Sequence, residues 1–259
     1  MIAPHPDDET LAAAGIIQRT LRSRGKVKVV VVTSGNHFVK AAQIVTGKGK
    51  VGPKEFAYLG RVREKECLAA LRELGVREND IIFMRYPDKG LLMLWQSSRG
   101  RNLSCTAQGR QLANFLRNFI ISFHPTDIYY PASVDEHPDH RGVNDFVESV
   151  LSFSQINVRR HLYLVHYEKN KWPYFPRLSR YLPLIPPYEL IDKGWSWEVF
   201  PLLPDEIEKK RRAVQLYRSQ LTATGGWYLV FVRSEEIFLM PKLNGKFSGK
   251  SAPLCLERS

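Results

Sequence analysis

Residues 26–33 read Lys-Val-Lys-Val-Val-Val-Val-Thr, a β-branched run that stops at Ser34-Gly35-Asn36. Apolar residues on consecutive positions, without alternation, are the pattern of a strand buried on both faces of a parallel sheet. Upstream, Glu9 to Arg22 carries helix formers, with Asp7, Asp8 and Glu9 at the end where the helix dipole favours negative charge. Downstream, Leu68, Leu71 and Leu74 recur at helical spacing within Glu64 to Leu74, and Gly75 follows as a C-cap. Asp80 to Met84 reads as the next strand, Gln111 to Phe123 as an amphipathic helix, Asp127 to Tyr130 as a strand and His140 to Phe153 as a helix. This alternation predicts an α/β fold: a Rossmann-like three-layer α/β/α sandwich around a mostly parallel sheet. Ligands of such sheets bind beyond the carboxyl ends of the strands.

From Tyr167 the character changes. Residues 167–203 are rich in Trp, Tyr, Pro and Arg, lack periodicity, and read as an insert or lid over the active site. Asp205 to Leu221 returns to helix, Trp227 to Met240 reads as one or two closing strands, and 241–259 reads as a loosely ordered tail. The 259 residues suit a single domain, 1–259, and 44% hydrophobic with 25% charged residues is ordinary globular usage.

No apolar run is long enough to span a membrane, and no basic, then apolar signal segment opens the chain. Only Met1 to Pro4 precede His5, which leaves an upstream signal or anchor open. Cys67, Cys105 and Cys255 are too sparse for a disulfide framework and fit a reducing, cytoplasmic setting. A net charge of +12 favours anionic partners: nucleic acid, an anionic lipid surface, or a phosphorylated or nucleotide-linked sugar. Gly47 to Gly52 matches GxGxxG, yet it lies well past the strand ending at Thr33 and is closed by Pro53, so it reads as a flexible basic loop.

Two segments carry the chemistry: Pro4-His5-Pro6-Asp7-Asp8-Glu9 and Glu136-His137-Pro138-Asp139-His140-Arg141. Each puts His and Asp on one proline-shaped turn beside a predicted strand end. A lone HxxD is an ordinary surface turn. A specified five-residue string, however, arises by chance about once in several million starts. Imidazole and carboxylate are zinc ligands, and a catalytic zinc keeps three protein ligands and an open position. Two ligands three residues apart on one turn, with a third from a distant loop, supply that number.

The pair HPDDE and HPDH resembles the LmbE-like (PIG-L) family of zinc-dependent N-acetylglucosaminyl deacetylases. Further similar segments are VREKE around Arg63 and Glu66, FMRYPDKGL around Asp88, Lys210 to Gln220 and Glu236-Ile-Phe238. The resemblance spans roughly 1–160 and 204–240. It implies that His5, Asp8 and His140 hold Zn(2+), and that Asp7 is the general base. His137 would then steady the oxyanion and protonate the leaving amine, with Asp139 orienting His137 and favouring its protonated form. Asp88 would bind sugar hydroxyls, and Arg63 would contact an anionic aglycone or brace the site. Trp172, Tyr174, Trp195 and Trp197 are candidate stacking platforms or packing anchors. The implied partner is an N-acetylated amino sugar, anionic and lipid-linked forms included. No specific nucleic acid is expected, and a homo-oligomer is compatible with the sequence. Two rivals stand beside this: another metallohydrolase on the same site, such as a thiol-conjugate amidase, and a non-catalytic basic protein that binds nucleic acid.

Overall fold

The computed structural model describes residues 1–97, 106–174 and 181–240. In chain order the elements are β1 (Ile2–Ala3), α1 (Asp8–Arg22), β2 (Val29–Thr33), α2 (Val39–Thr46), α3 (Pro53–Leu74), β3 (Ile81–Tyr86), α4 (Leu91–Ser97) and α5 (Ala107–Phe123). They continue with β4 (Asp127–Pro131), α6 (Pro138–Phe153), β5 (Arg159–Tyr163), α7 (Tyr188–Asp192), β6 (Trp197–Pro201), α8 (Pro204–Gln215), α9 (Arg218–Thr224) and β7 (Glu235–Leu239).

The valine run forms β2, buried along its whole length, with β1 and β3 parallel on its two sides. β4 and β5 are also parallel, and β7 and β6 extend that second sheet antiparallel, in the order β4-β5-β7-β6. β1 lies against β4, so the strands run β3-β2-β1-β4-β5-β7-β6 across the molecule. Helices α1, α3 and α8 pack on one another, as do α4, α5 and α6. The fold is the expected α/β sandwich. β1 is a stub, held by the register of Ile2 with Val30 and Ala3 with Val31.

Differences from the sequence reading fall where periodicity was weak. α3 begins at Pro53, eleven residues before the expected Glu64, because Pro53 takes the first-turn position and Glu55 caps Gly52 N–H at 3.0 Å. The expected helix 205–221 is two helices, α8 and α9, and Trp227–Phe231 is a 3₁₀ turn rather than a strand. Within 167–203 the chain makes α7 and the edge strand β6, paired with β7. The tail 241–259 lies outside the described residues.

One buried knot ties the antiparallel half to α1. At Ala13 the helix departs from helical dihedrals, and the N–H groups of Gly15 and Ile16 donate instead to Glu236 at 2.8 and 3.1 Å. Lys210 Nζ donates to the same carboxylate at 2.8 Å, with both side chains buried. A Cβ on Gly15 would fall 1.9 Å from a methyl of Leu202 and 3.1 Å from Glu236 Oε2, so a larger residue there would have to displace the Leu202 side chain beside the carboxylate.

Candidate functional site

In the order β3-β2-β1-β4-β5 the chain leaves β1 toward β2 on one side and β4 toward β5 on the other. The carboxyl edge between β1 and β4 is therefore the switch point at which such sheets take ligands. The turn from β1 into α1 delivers His5, Asp7 and Asp8, and the turn from β4 into α6 delivers Asp135, His137, Asp139 and His140. Asp88 follows β3, His37 follows β2 and His166 follows β5. Both motifs meet there.

Asp8 is the hub. Its Oδ2 lies 3.2 Å from His5 Nδ1 and 3.2 Å from His140 Nε2. The contact with His140 lacks hydrogen-bonding geometry, and buried His140 Nε2 has no other partner, so both atoms face a common point. The far nitrogen of each imidazole rests on a carboxylate. His140 Nδ1 lies 3.1 Å from Asp135, and His5 Nε2 lies 3.2 Å from Asp139 and 3.3 Å from Asp88. That is the outer arrangement by which proteins fix the tautomer of metal-binding histidines. Asp7, Asp8, Asp88, Asp135 and Asp139 are all buried, against one buried guanidinium, Arg63. Burial works against a charged imidazole, but Asp135 and Asp8 outweigh it and carry His140 up to about 9. The cluster thus draws positive charge to the shared point, and its N/O donors suit a divalent cation. Among the described residues, the donor trios whose atoms all lie within 4.8 Å of one another are His5–His137–His140, Asp8–His140–His166 and His5–Asp88–Asp139. The expected His5, Asp8 and His140 each belong to one or more of them, but the three together are not such a trio.

Asp7 is held at one oxygen. Its Oδ2 accepts from Arg63 Nη2 at 2.5 Å and from Tyr228 Oη. Burial pushes its carboxyl above the usual range, and Arg63 restrains the rise. The Asp7 backbone sits at φ 145, a strained conformation for a non-glycine residue. Arg63 braces it by donating to Pro6 O at 3.1 Å and to Gly35 O, packed so close that only glycine fits there at φ 56. Arg63 therefore pairs with Asp7 and not with Glu66, which instead accepts from Ser219.

Asp139 departs from expectation. Its carboxylate does not orient His137; it accepts from Lys89 N at 2.6 Å and Leu91 N at 2.9 Å and meets His5. The Asp139 link to His137 is through the backbone, N–H to Nδ1 at 3.2 Å, because His137 caps α6. With Nδ1 an acceptor, Nε2 carries the hydrogen. Burial, then the neighbouring imidazoles, lower His137 to about 2, so it is neutral rather than protonated. Asp88 lines the cavity, though one oxygen already accepts from His37 N at 2.8 Å.

The cavity, about 460 Å³, is lined by the Asp7–Asp8–His5 turn, Arg63, Asp88 and His137, together with Phe38, Trp227 and Gln220. None of the described residues of 167–203 lines it; Trp172 is wholly buried, donating to Ile185 O at 2.8 Å, and Tyr174 borders a separate hollow. Trp227, stacked on His166 at 6.0 Å, lines the cavity with Phe38 and Tyr228. Sequence reasoning missed Asp135, His166, Trp227 and Tyr228. Asp135 was detectable, five residues before His140; Tyr228 is placed by the positive φ of Gly225 and Gly226, which no periodicity reports.

Residues 1–151 match the family model for PIG-L, GlcNAc-PI de-N-acetylase. Among solved structures, the zinc-inhibited form of the teicoplanin deacetylase Orf2 is similar at 19% identity and a TM-score of 0.61, covering 92% of this chain and 95% of that one. The N,N'-diacetylchitobiose deacetylase of Pyrococcus horikoshii is similar at 20% identity and 0.59, covering 93% and 82%. The 4-carboxy-2-hydroxymuconate hydratase GalB of Pseudomonas putida shares the fold at 13% identity and 0.58, covering 95% and 98%. No curated protein sequence matches.

Proposed function

The chain belongs to the PIG-L (GlcNAc-PI de-N-acetylase) family, and from that premise we propose that it is a zinc-dependent deacetylase of an N-acetylglucosamine-containing substrate. The observation that carries the metal is the orphaned Nε2 of His140 facing Asp8 Oδ2 amid buried carboxylates. His5, Asp8 and His140 would hold the ion, with Asp139, Asp88 and Asp135 behind the imidazoles. Zinc bound there supplies Lewis acidity and brings the pKa of water toward about 7.

The remaining steps belong to the chain. Both hydrogen bonds to Asp7 fall on Oδ2, so Oδ1 is the oxygen to take a proton from the attacking water. A carboxyl raised by burial is a stronger base than a solvated one, and Arg63 with Tyr228 keeps it aimed. His137, neutral with hydrogen on Nε2, donates to the acetyl oxygen as negative charge develops there. As the C–N bond breaks, the proton held by Asp7 passes to the leaving nitrogen, giving acetate and a free amine. Trp227 offers a face for the sugar ring.

The test is release of primary amine from N,N'-diacetylchitobiose, UDP-GlcNAc and a GlcNAc lipid, abolished by chelator and restored by zinc. Asp7→Ala should keep about one zinc per chain and lose turnover by at least about a hundredfold. Turnover of a thiol-conjugate amide with none of these sugars would replace the reading by the rival hydrolase.

A further inference from the structure

Beside the cavity the chain turns outward. His37 and Phe38 line the cavity wall, His37 stacks on Phe56 of α3 at 4.8 Å, and α2 starts at the next residue, Val39. The surface built by α2, the loop 47–52 and the first half of α3 is unusual in two respects. Lys40, Lys50, Lys54, Arg61 and Lys65 are exposed and have no ion-pair partner among the described residues. Interleaved with them are three exposed apolar side chains: Val39, 49% accessible, Ile44, 40%, and Tyr58, 45%.

The spacing is that of faces, not of scatter. Lys54, Tyr58, Arg61 and Lys65 follow one another every three or four residues along α3, with the Arg61 guanidinium over the Tyr58 ring at 5.7 Å. On α2, Lys40 and Ile44 share a face in the same way. Cations flanking exposed apolar and aromatic side chains on helices are the composition of a surface that lies in a lipid interface. Buried area alone would not hold it there, since three side chains are few; the unpaired charge is the larger contribution.

We propose that the α2–α3 face docks the protein on an anionic lipid bilayer, with the cavity mouth at the membrane surface. The match is one of charge: five uncompensated cations facing a negative surface, with Val39, Ile44 and Tyr58 entering the headgroup layer. Duplex nucleic acid would use the cations but leave the aliphatic side chains in water, which makes it the weaker fit. The inference does not depend on the proposed deacetylation, because docking is read without turnover.

The experiment is co-flotation of the full chain with vesicles of phosphatidylcholine alone, and of phosphatidylcholine with phosphatidylglycerol. Binding is expected only to the anionic vesicles and should weaken as salt rises. At about fivefold per cation, the triple variant Lys50→Ser, Lys54→Ser, Lys65→Ser should bind roughly a hundredfold more weakly. Lys26→Ser, Lys169→Ser, Lys171→Ser removes equal charge from elsewhere and should bind as the parent does. Ile44→Ser should weaken binding while leaving its salt dependence in place. An unchanged melting temperature shows that each variant is folded. Equal losses in both triple variants, equal binding to neutral vesicles, or retention on a DNA duplex with none on vesicles would each overturn the proposal.

Discussion

Two clusters of buried charge lie along α1, one at its middle and one at its N-terminal end. In the knot at its middle, Glu236 receives the N–H groups of Gly15 and Ile16 and the ammonium of Lys210, and charges balance one to one. At the N-terminal end, five buried aspartates surround one guanidinium and two imidazoles, and His140 Nε2 is left without a bond. Burying charge costs several kcal/mol per ion unless it is paired. The first cluster meets that cost internally. The second leaves a negative excess focused on one point, which is what a site for a cation requires and a structural core avoids.

The sharpest test of this contrast is Asp8→Ala. It removes the hub shared by His5 and His140, so bound metal should vanish, turnover should fall to background, and the fold should survive. Metal analysis with circular dichroism checks all three; a variant that keeps stoichiometric zinc would dissolve the distinction between the clusters. Lys210→Met should do the reverse. Stranding Glu236 without its cation should cost about 3–5 kcal/mol by urea denaturation, with metal content per folded chain unchanged.

The two clusters also differ in how far the sequence reveals them. His5, Asp8, His137 and His140 stand in contiguous motifs, because a tight turn must supply several ligands at once, and the valine run announces the strand beside them. Lys210 and Glu236 are single charged residues on elements of ordinary composition, and their pairing follows from a break at Ala13 that no local pattern encodes. For Arg63 the sequence supplies a place in the site but not a partner: Glu66 is its neighbour along α3, and only the packing of α3 against the Asp7 turn points the guanidinium at Asp7. Local motifs give the donors. The outer partners arrive from remote strands and remain invisible until those strands are placed.

Asp135 probes that outer layer. Its carboxylate meets His140 Nδ1 at 3.1 Å and accepts the N–H groups of His137, Val165 and His166. Asp135→Asn keeps the shape and removes the charge behind the imidazole. Zinc affinity, measured by competition with a chelator, should fall about 10- to 100-fold. Full retention would mean that Asp135 holds only the loop.

Glu9 joins the two regimes and gives the smallest effect. Its carboxylate accepts Asp7 N at 3.1 Å and Thr10 Oγ1 at 2.8 Å, with Tyr217 Oη alongside, yet burial, reinforced by Asp7, raises it to about 7. An acid whose folded pKa is raised keeps its proton where the unfolded chain has already lost it. Between the unfolded value, about 4.5, and about 7, unfolding releases that proton, so its contribution to stability falls as pH rises. Below that window both states are protonated, and above it both are ionised, so the contribution is level. The slope from this one group is about 1.4 kcal/mol per pH unit at most. In metal-free protein, urea denaturation of Glu9→Gln across the window should lack that share of the parent's slope, and parallel curves would place Glu9 with the balanced cluster instead.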